Sequence, residues 1–188
     1  MRRNEQADKK LSKWMSKILR HAPDKYGIVL AEDGSCSVEE LLRVLLRADH
    51  WNHLTLADIE RIVRESDKQR FEMKDGRIRA RYGHSYSRVS YPAAVPPPVL
   101  YHGTNQTAAP AILESGIQSM GRQYVHLSAG LSFARLAGER RGQLVILQVD
   151  TVKAASMGIT FYYAGNEVWL ADHIPAACCS VFKQGGNS

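Results

Sequence analysis

The sequence predicts an α+β chain of two lobes: a helical first half closed by a β-hairpin, and a second half built mainly of antiparallel strands. Apolar residues recur at helical spacing through three segments of the first half. Asp75-Gly76 lies between two alternating runs in "RFEMKDGRIRARY", the sequence form of a hairpin. The stretch "SYPAAVPPPVLYHGT" holds four of the chain's seven prolines and separates that half from one whose apolar residues come in short, strand-length blocks.

Taken in order, Leu11, Trp14, Met15, Ile18 and Leu19 form one buried stripe on a first helix that ends near Arg20, two residues before Ala22-Pro23. A second helix is expected from "SVEE", with Ser37 and Glu40 spaced as a capping box ahead of Leu41, Leu42, Leu45 and Leu46. A third begins at Thr55 and turns Ile59, Ile62 and Val63 inward. Three helices followed by the hairpin have the form of a winged-helix module. Pro96, Pro97 and Pro98 lock an extended connector, so the lobes are expected at 1–91 and 99–188 with a linker at 92–98. Beyond it, "VLYHG", "YVHLS", "LVILQV", "ITFYY" and "VWLA" read as strands, with helices near 108–115 and 131–138.

The 188 residues carry a formal net charge of +6, unevenly spread. Residues 1–91 hold 19 Lys and Arg against 14 Asp and Glu, net +5; residues 92–188 hold 6 against 5, net +1. An anionic partner held by the first half follows from that split. Cys36, Cys178 and Cys179 form neither a C-x-x-C pair nor a disulfide framework, and no histidine spacing suits a metal, so no metal site is expected. No apolar run approaches the roughly 20 residues that span a bilayer, and no signal peptide is visible. A cytoplasmic protein, off the membrane and monomeric, is the expectation. G-x-G-x-x-G, Walker and G-x-S-x-G patterns are absent, which removes the motifs of the Rossmann, P-loop and hydrolase readings.

The residues that stand out lie at element ends. Arg20 and His21 close the first helix; Arg70 in "SDKQRF" lies where the third helix gives way to the hairpin; Arg122 lies in "MGRQYVHLS" just before a strand. A guanidinium donates to two phosphate oxygens at once and keeps its charge at any biological pH, so arginines in such places suit phosphate binding. His102 in "LYHGT" and His126 in "YVHLS" occupy comparable places on separate strands. Gly103 permits close backbone approach, and Thr104 and Ser128 offer hydroxyls, as in a nucleotide-binding cleft. His84 in "GHS" is the other histidine with a special place.

"LSKWMSKILRHAPDKYGIVL", "SDKQRFEM", "IRARYGHS", "LYHGT", "YVHLS", "RRGQLVILQV" and "NEVWLA", in this order from about Lys10 to Phe182, resemble the RNA 2′-phosphotransferase family, the KptA type. The resemblance implies a winged-helix RNA lobe followed by an NAD-binding lobe of the ADP-ribosyltransferase type. It implies a reaction in which an internal RNA 2′-phosphate attacks the nicotinamide ribose of NAD+, expels nicotinamide, and passes through an ADP-ribosylated RNA phosphate. Release of ADP-ribose 1″,2″-cyclic phosphate then leaves a 2′-hydroxyl RNA, as in tRNA splicing. By the same resemblance Arg20, His21, Arg70 and Arg122 form the catalytic set, and His102, Gly103, Thr104, His126, Ser128 and Val168 contact NAD+. Val168 stands where related transferases place a catalytic glutamate, and Glu167 beside it is expected to face the other way. Ser66, Lys68 and His84 are expected to touch RNA phosphate.

Two other readings compete with that one. The same lobes are compatible with ADP-ribosylation of a nucleic-acid terminal phosphate or of a protein. A winged-helix DNA regulator would read a groove from its third helix, where only Arg61 and Arg64 have the spacing.

Overall fold

The computed structural model of the chain describes residues 5–48, 51–66, 69–86, 88–139 and 142–183. Its contacts divide into two compact units, Met1–Ser90 and Tyr91–Ser188. Both are mixed α and β, and the strand pairs in their sheets are antiparallel.

In the first unit, α1 (Glu5–His21) buries Leu11, Met15, Ile18 and Leu19, the stripe that its spacing predicts. Its opposite face presents Lys10, Lys13 and Lys17 to solvent. Ala22 and Pro23 stop the helix, and Pro23 opens a short 3-10 turn over Asp24–Tyr26. β1 (Ser35–Ser37), α2 (Val38–Leu46), α3 (Leu56–Glu65), β2 (Phe71–Lys74) and β3 (Arg77–Ala80) follow. The hairpin between β2 and β3 turns at Asp75 (φ 50°) and Gly76 (φ 70°), both left-handed as a two-residue turn of the I′ kind requires. β1 adds a third strand, giving the order β1-β3-β2. A three-residue strand carries too little alternation to be visible in sequence.

That strand changes how α2 begins. Ser37 stands at the N-cap position, but its side chain makes no capping bond and the box expected with Glu40 does not form. Ser37 is the last residue of β1, paired with Arg77, and the Val38 amide donates to the Gly76 carbonyl at 3.0 Å. Sheet pairing fixes the helix start in place of a side-chain cap. The side-chain-closed start is at α3, where the Thr55 amide and hydroxyl both donate to Asp58 Oδ2, at 3.0 and 2.8 Å. Leu11, Met15, Leu19, Leu41, Leu45, Ile59, Phe71 and Ile78 close one core from all three helices and the sheet.

In the second unit, β4 (Val99–Asn105), α4 (Ala109–Ser115), β5 (Ile117–Gln118), β6 (Val125–Ser128), α5 (Leu131–Gly138) and β7 (Leu144–Asp150) come first. α6 (Thr151–Ser156), β8 (Tyr162–Gly165), β9 (Val168–Ala171), β10 (His173–Ile174) and β11 (Cys179–Val181) complete it. Six strands form one sheet in the order β11-β7-β4-β6-β9-β8, and β10 pairs with β5 in a separate two-stranded ribbon. The five strand runs read from sequence all enter the large sheet; the last part of "ITFYY" does so from Tyr162. α6, β5, β10 and β11 were not foreseen, each being two to six residues long. β4 and α5 meet backbone to backbone: a Cβ on Gly103 would fall 1.8 Å from the Ala134 carbonyl oxygen. Leu100, Leu127, Val149, Phe161, Trp169 and Ile174 form a second, separate core.

Candidate functional site

The first unit gathers charge at the C-terminal end of α1. Arg20 occupies the last turn, and the segment after β3 wraps that end. The Tyr82 ring lies under the Arg20 guanidinium at 5.2 Å, within cation–π range. Gly83 turns the backbone with φ +90°, and a Cβ there would come within 3.3 Å of the same guanidinium. The Ser85 and Tyr86 amides both donate to the Arg20 carbonyl, at 2.9 and 3.2 Å. His21 Nδ1 lies 2.7 Å from Ser85 Oγ. His84, between these contacts, is 2% exposed. Burial pushes its imidazole down to about 4, and the nearby positive charges of Arg20, His21 and Arg79 push the same way, so His84 is neutral at pH 7.

Arg70 follows the left-handed Gln69 (φ 36°), and its Nη1 approaches Ser12 Oγ on α1 at 3.5 Å. Its carbonyl accepts from the Arg81 amide at 2.8 Å, which ties it to the end of the hairpin. Ser66 is the residue that ends α3, its amide donating to Ile62 O at 3.1 Å. Lys68 lies outside the described residues. Arg61 is held between two acids, Nη1 donating to Asp58 Oδ1 at 2.5 Å and Nη2 to Asp8 Oδ1 at 2.9 Å. The bond from Arg61, helped by those from Thr55, holds Asp58 down to about 2, and the bond to Asp8 ties α3 to α1.

The second unit has a cavity of about 300 Å³ whose wall includes His102, Thr104, Arg122, Tyr124 and His126. β4 and β6, side by side in the sheet, supply the histidines, and the loop before β6 supplies Arg122, which is exposed. His102 Nδ1 donates to the His126 carbonyl at 3.0 Å, which fixes the His102 ring across the two strands. Thr104 is 3% exposed. Ser128 turns inward and donates to the Gly130 carbonyl at 2.7 Å. Gly103 does permit close approach, and what approaches is α5. Val168, opposite Ser128 in the β6–β9 register, is fully buried. Glu167 stands in the β8–β9 turn with φ +62°, exposed, its carboxylate against Gly130.

The residues singled out from sequence thus fall into two groups. Arg20, His21 and His84 meet in the first unit, where Arg70 also touches α1; His102, Thr104, Arg122 and His126 share one cavity in the second. Tyr82, Ser85 and Tyr124 were missed. Tyr82 and Ser85 flank the "GH" of "IRARYGHS", but a tyrosine and a serine carry no signal until the loop is seen to fold over α1. Tyr124 reads as a strand aromatic, and its ring packs on Tyr91 and Tyr162 at 5.7 and 5.3 Å.

Residues 6–173 match the family model described as RNA 2′-phosphotransferase, Tpt1 / KptA family. The chain belongs to the RNA 2′-phosphotransferase family. Several curated members resemble it along nearly their whole length. A "Probable RNA 2′-phosphotransferase" of Trichormus variabilis is 44% identical over 169 residues, covering 88% of this chain and 92% of that one. One of the same name from Acetivibrio thermocellus is 43% identical, covering 89% and 93%. A third, from Bacillus thuringiensis, is 41% identical over 175 residues, covering 92% and 95%. RNA 2′-phosphotransferases are transferases. Among the described residues no cluster of His, Cys, Asp or Glu could hold a metal ion, and no helix is long and apolar enough to cross a membrane.

Proposed function

We propose that this RNA 2′-phosphotransferase removes an internal 2′-phosphate from RNA with NAD+ as co-substrate. On this reading residues 1–91 are a winged-helix RNA lobe and 99–188 an NAD-binding lobe of the ADP-ribosyltransferase type, joined by the proline linker at 92–98. The observation that carries it is the pair Arg20 and His21, fixed at one helix end by an aromatic ring, a hydroxyl and two backbone amides.

A phosphate monoester, with a second pKa near 6, is largely dianionic at pH 7 and is a nucleophile without help from a base. That accounts for an apolar, fully buried Val168 where related transferases place an acid. What the phosphate needs is positive charge. Arg20, stacked on Tyr82, offers a guanidinium whose plane is set before the anion arrives, and Arg70 and Arg122 supply the other forks. His21 orients a phosphate oxygen or relays a proton, roles that an imidazole with a donor and an acceptor nitrogen can fill.

The cavity of the second unit fits part of a dinucleotide. At about 300 Å³ it lies at the small end of ligand sites, and His102, Thr104 and His126 offer polar groups along a partly apolar wall. When bound, NAD+ supplies an electrophilic ribose carbon and nicotinamide as leaving group.

The test is product analysis after incubation of the protein with NAD+ and a 2′-phosphorylated oligonucleotide. Loss of the phosphate and appearance of nicotinamide are expected, with Arg20→Ala, His21→Ala and Arg122→Ala each slowed about 100-fold or more. An RNA that keeps its 2′-phosphate under conditions where a control phosphatase removes it would sink the reading.

A further inference from the structure

His21 is the last residue of α1 and is exposed, a place where an imidazole ordinarily keeps its rotamer freedom. To hand a proton or an oxygen to one defined place, the ring has to be fixed and its two nitrogens made unequal. The segment after β3 does both. Ser85 Oγ lies 2.7 Å from His21 Nδ1. Ser85 is itself located from below, because its amide and that of Tyr86 donate to the carbonyl of Arg20, the residue before His21. The left-handed Gly83 admits the turn that brings the chain back, and the buried His84 side chain anchors its middle.

We infer that Ser85 is a positioning residue for His21: its hydroxyl, hydrogen-bonded to Nδ1 at 2.7 Å, fixes the ring in one orientation and makes Nδ1 the nitrogen tied to the loop. Its consequence for rate rests on the role proposed above for His21; its consequence for Nδ1 does not.

Two measurements on the full chain test it. Nitrogen-15 NMR of the His21 ring, assigned by loss of its signals in His21→Ala, is expected above pH 8 to show an Nδ1 resonance displaced by the hydrogen bond. Ser85→Ala should shift that resonance, and Ser85→Thr should keep the wild-type pattern. In turnover of a 2′-phosphorylated oligonucleotide, Ser85→Ala should lower kcat about 10- to 100-fold, as loss of a ring-orienting partner does elsewhere. KM should stay within about twofold, and Ser85→Thr should restore most of the rate. A ring whose Nδ1 resonance is unchanged by Ser85→Ala overturns the inference. So does a Ser85→Ala enzyme with wild-type kcat. Should His21→Ala itself turn over at the wild-type rate, it is the role of His21 that fails, and the Nδ1 resonance still decides the hydrogen bond.

Discussion

His84 sits 2% exposed amid positive charge, neutral where an ordinary histidine is half protonated. Its folded pKa of about 4 lies below the ordinary 6.5, so between those values the unfolded chain binds the proton more readily. The contribution is complete above about pH 6.5, shrinks as pH falls toward 4, and amounts to about 3 kcal/mol at most. His84→Leu, similar in size and unable to titrate, should therefore flatten the fall in stability between pH 7 and pH 5 in urea unfolding. A variant that loses stability as steeply as wild type over that range would remove His84 as the cause. At this scale the sequence was informative where a residue's chemistry is rare. Arginine before a helix stop and histidine within a strand attract notice by type and place. Ser85 and Tyr82 did not, because their part depends on a return of the chain that joins residues 64 positions apart.

The helices of the first unit and the hairpin were legible because each announces itself by a period and an end signal. The apolar stripe of α1, the Thr55–Asp58 start of α3 and the Asp75-Gly76 turn are all written within a few residues. β1, β5, β10 and β11 are two or three residues long and exist only through their partners, so nothing local marks them. The failed capping box at Ser37 has the same origin, since the partner strand took over the helix start. Two substitutions test the elements. Thr55→Ala removes the hydroxyl that Asp58 accepts and should cost about 1 kcal/mol in chemical unfolding, with little effect on turnover. Gly103→Ala places a methyl 1.8 Å from a backbone oxygen of α5, a gap that no rotamer change can open. It should cost about 3 kcal/mol or more, the upper end for overpacking, and an undiminished unfolding midpoint would show that α5 can slide away.

For the whole molecule, the division of charge and the division of contacts fall close together: net +5 over residues 1–91, net +1 over the rest, and two compact units meeting at Ser90 and Tyr91. On the proposed function the polyanion's contacts should belong mostly to the first unit. Lys13 and Lys17 are exposed on the solvent face of α1, the helix that ends in Arg20 and His21. Replacing both by Gln should reduce the slope of log affinity for RNA against log salt by about 1 to 1.5, roughly 0.7 per lost phosphate contact. Replacing Lys153 and Lys183 of the second unit should leave the slope unchanged. Equal effects from the two pairs would mean that RNA is held by the net field of the chain and not by one unit. The fold class and this asymmetry could be read from composition and pattern alone. The loop over α1 could not, because it is set by contacts between residues more than sixty positions apart.

The two amides that donate to the Arg20 carbonyl bear on a difficulty that an anion meets there. Phosphates ordinarily settle at the beginnings of helices, where exposed amides and the positive pole of the peptide dipoles attract them. Arg20 and His21 lie at the other pole, worth roughly half a negative charge, which repels a dianion. The Ser85 and Tyr86 N–H groups cover one of the carbonyls that carry that charge, so the loop after β3 imports donors of the kind a helix beginning would have supplied. On the proposed function, the cationic side chains then act on the phosphate with less of their field cancelled by their own helix.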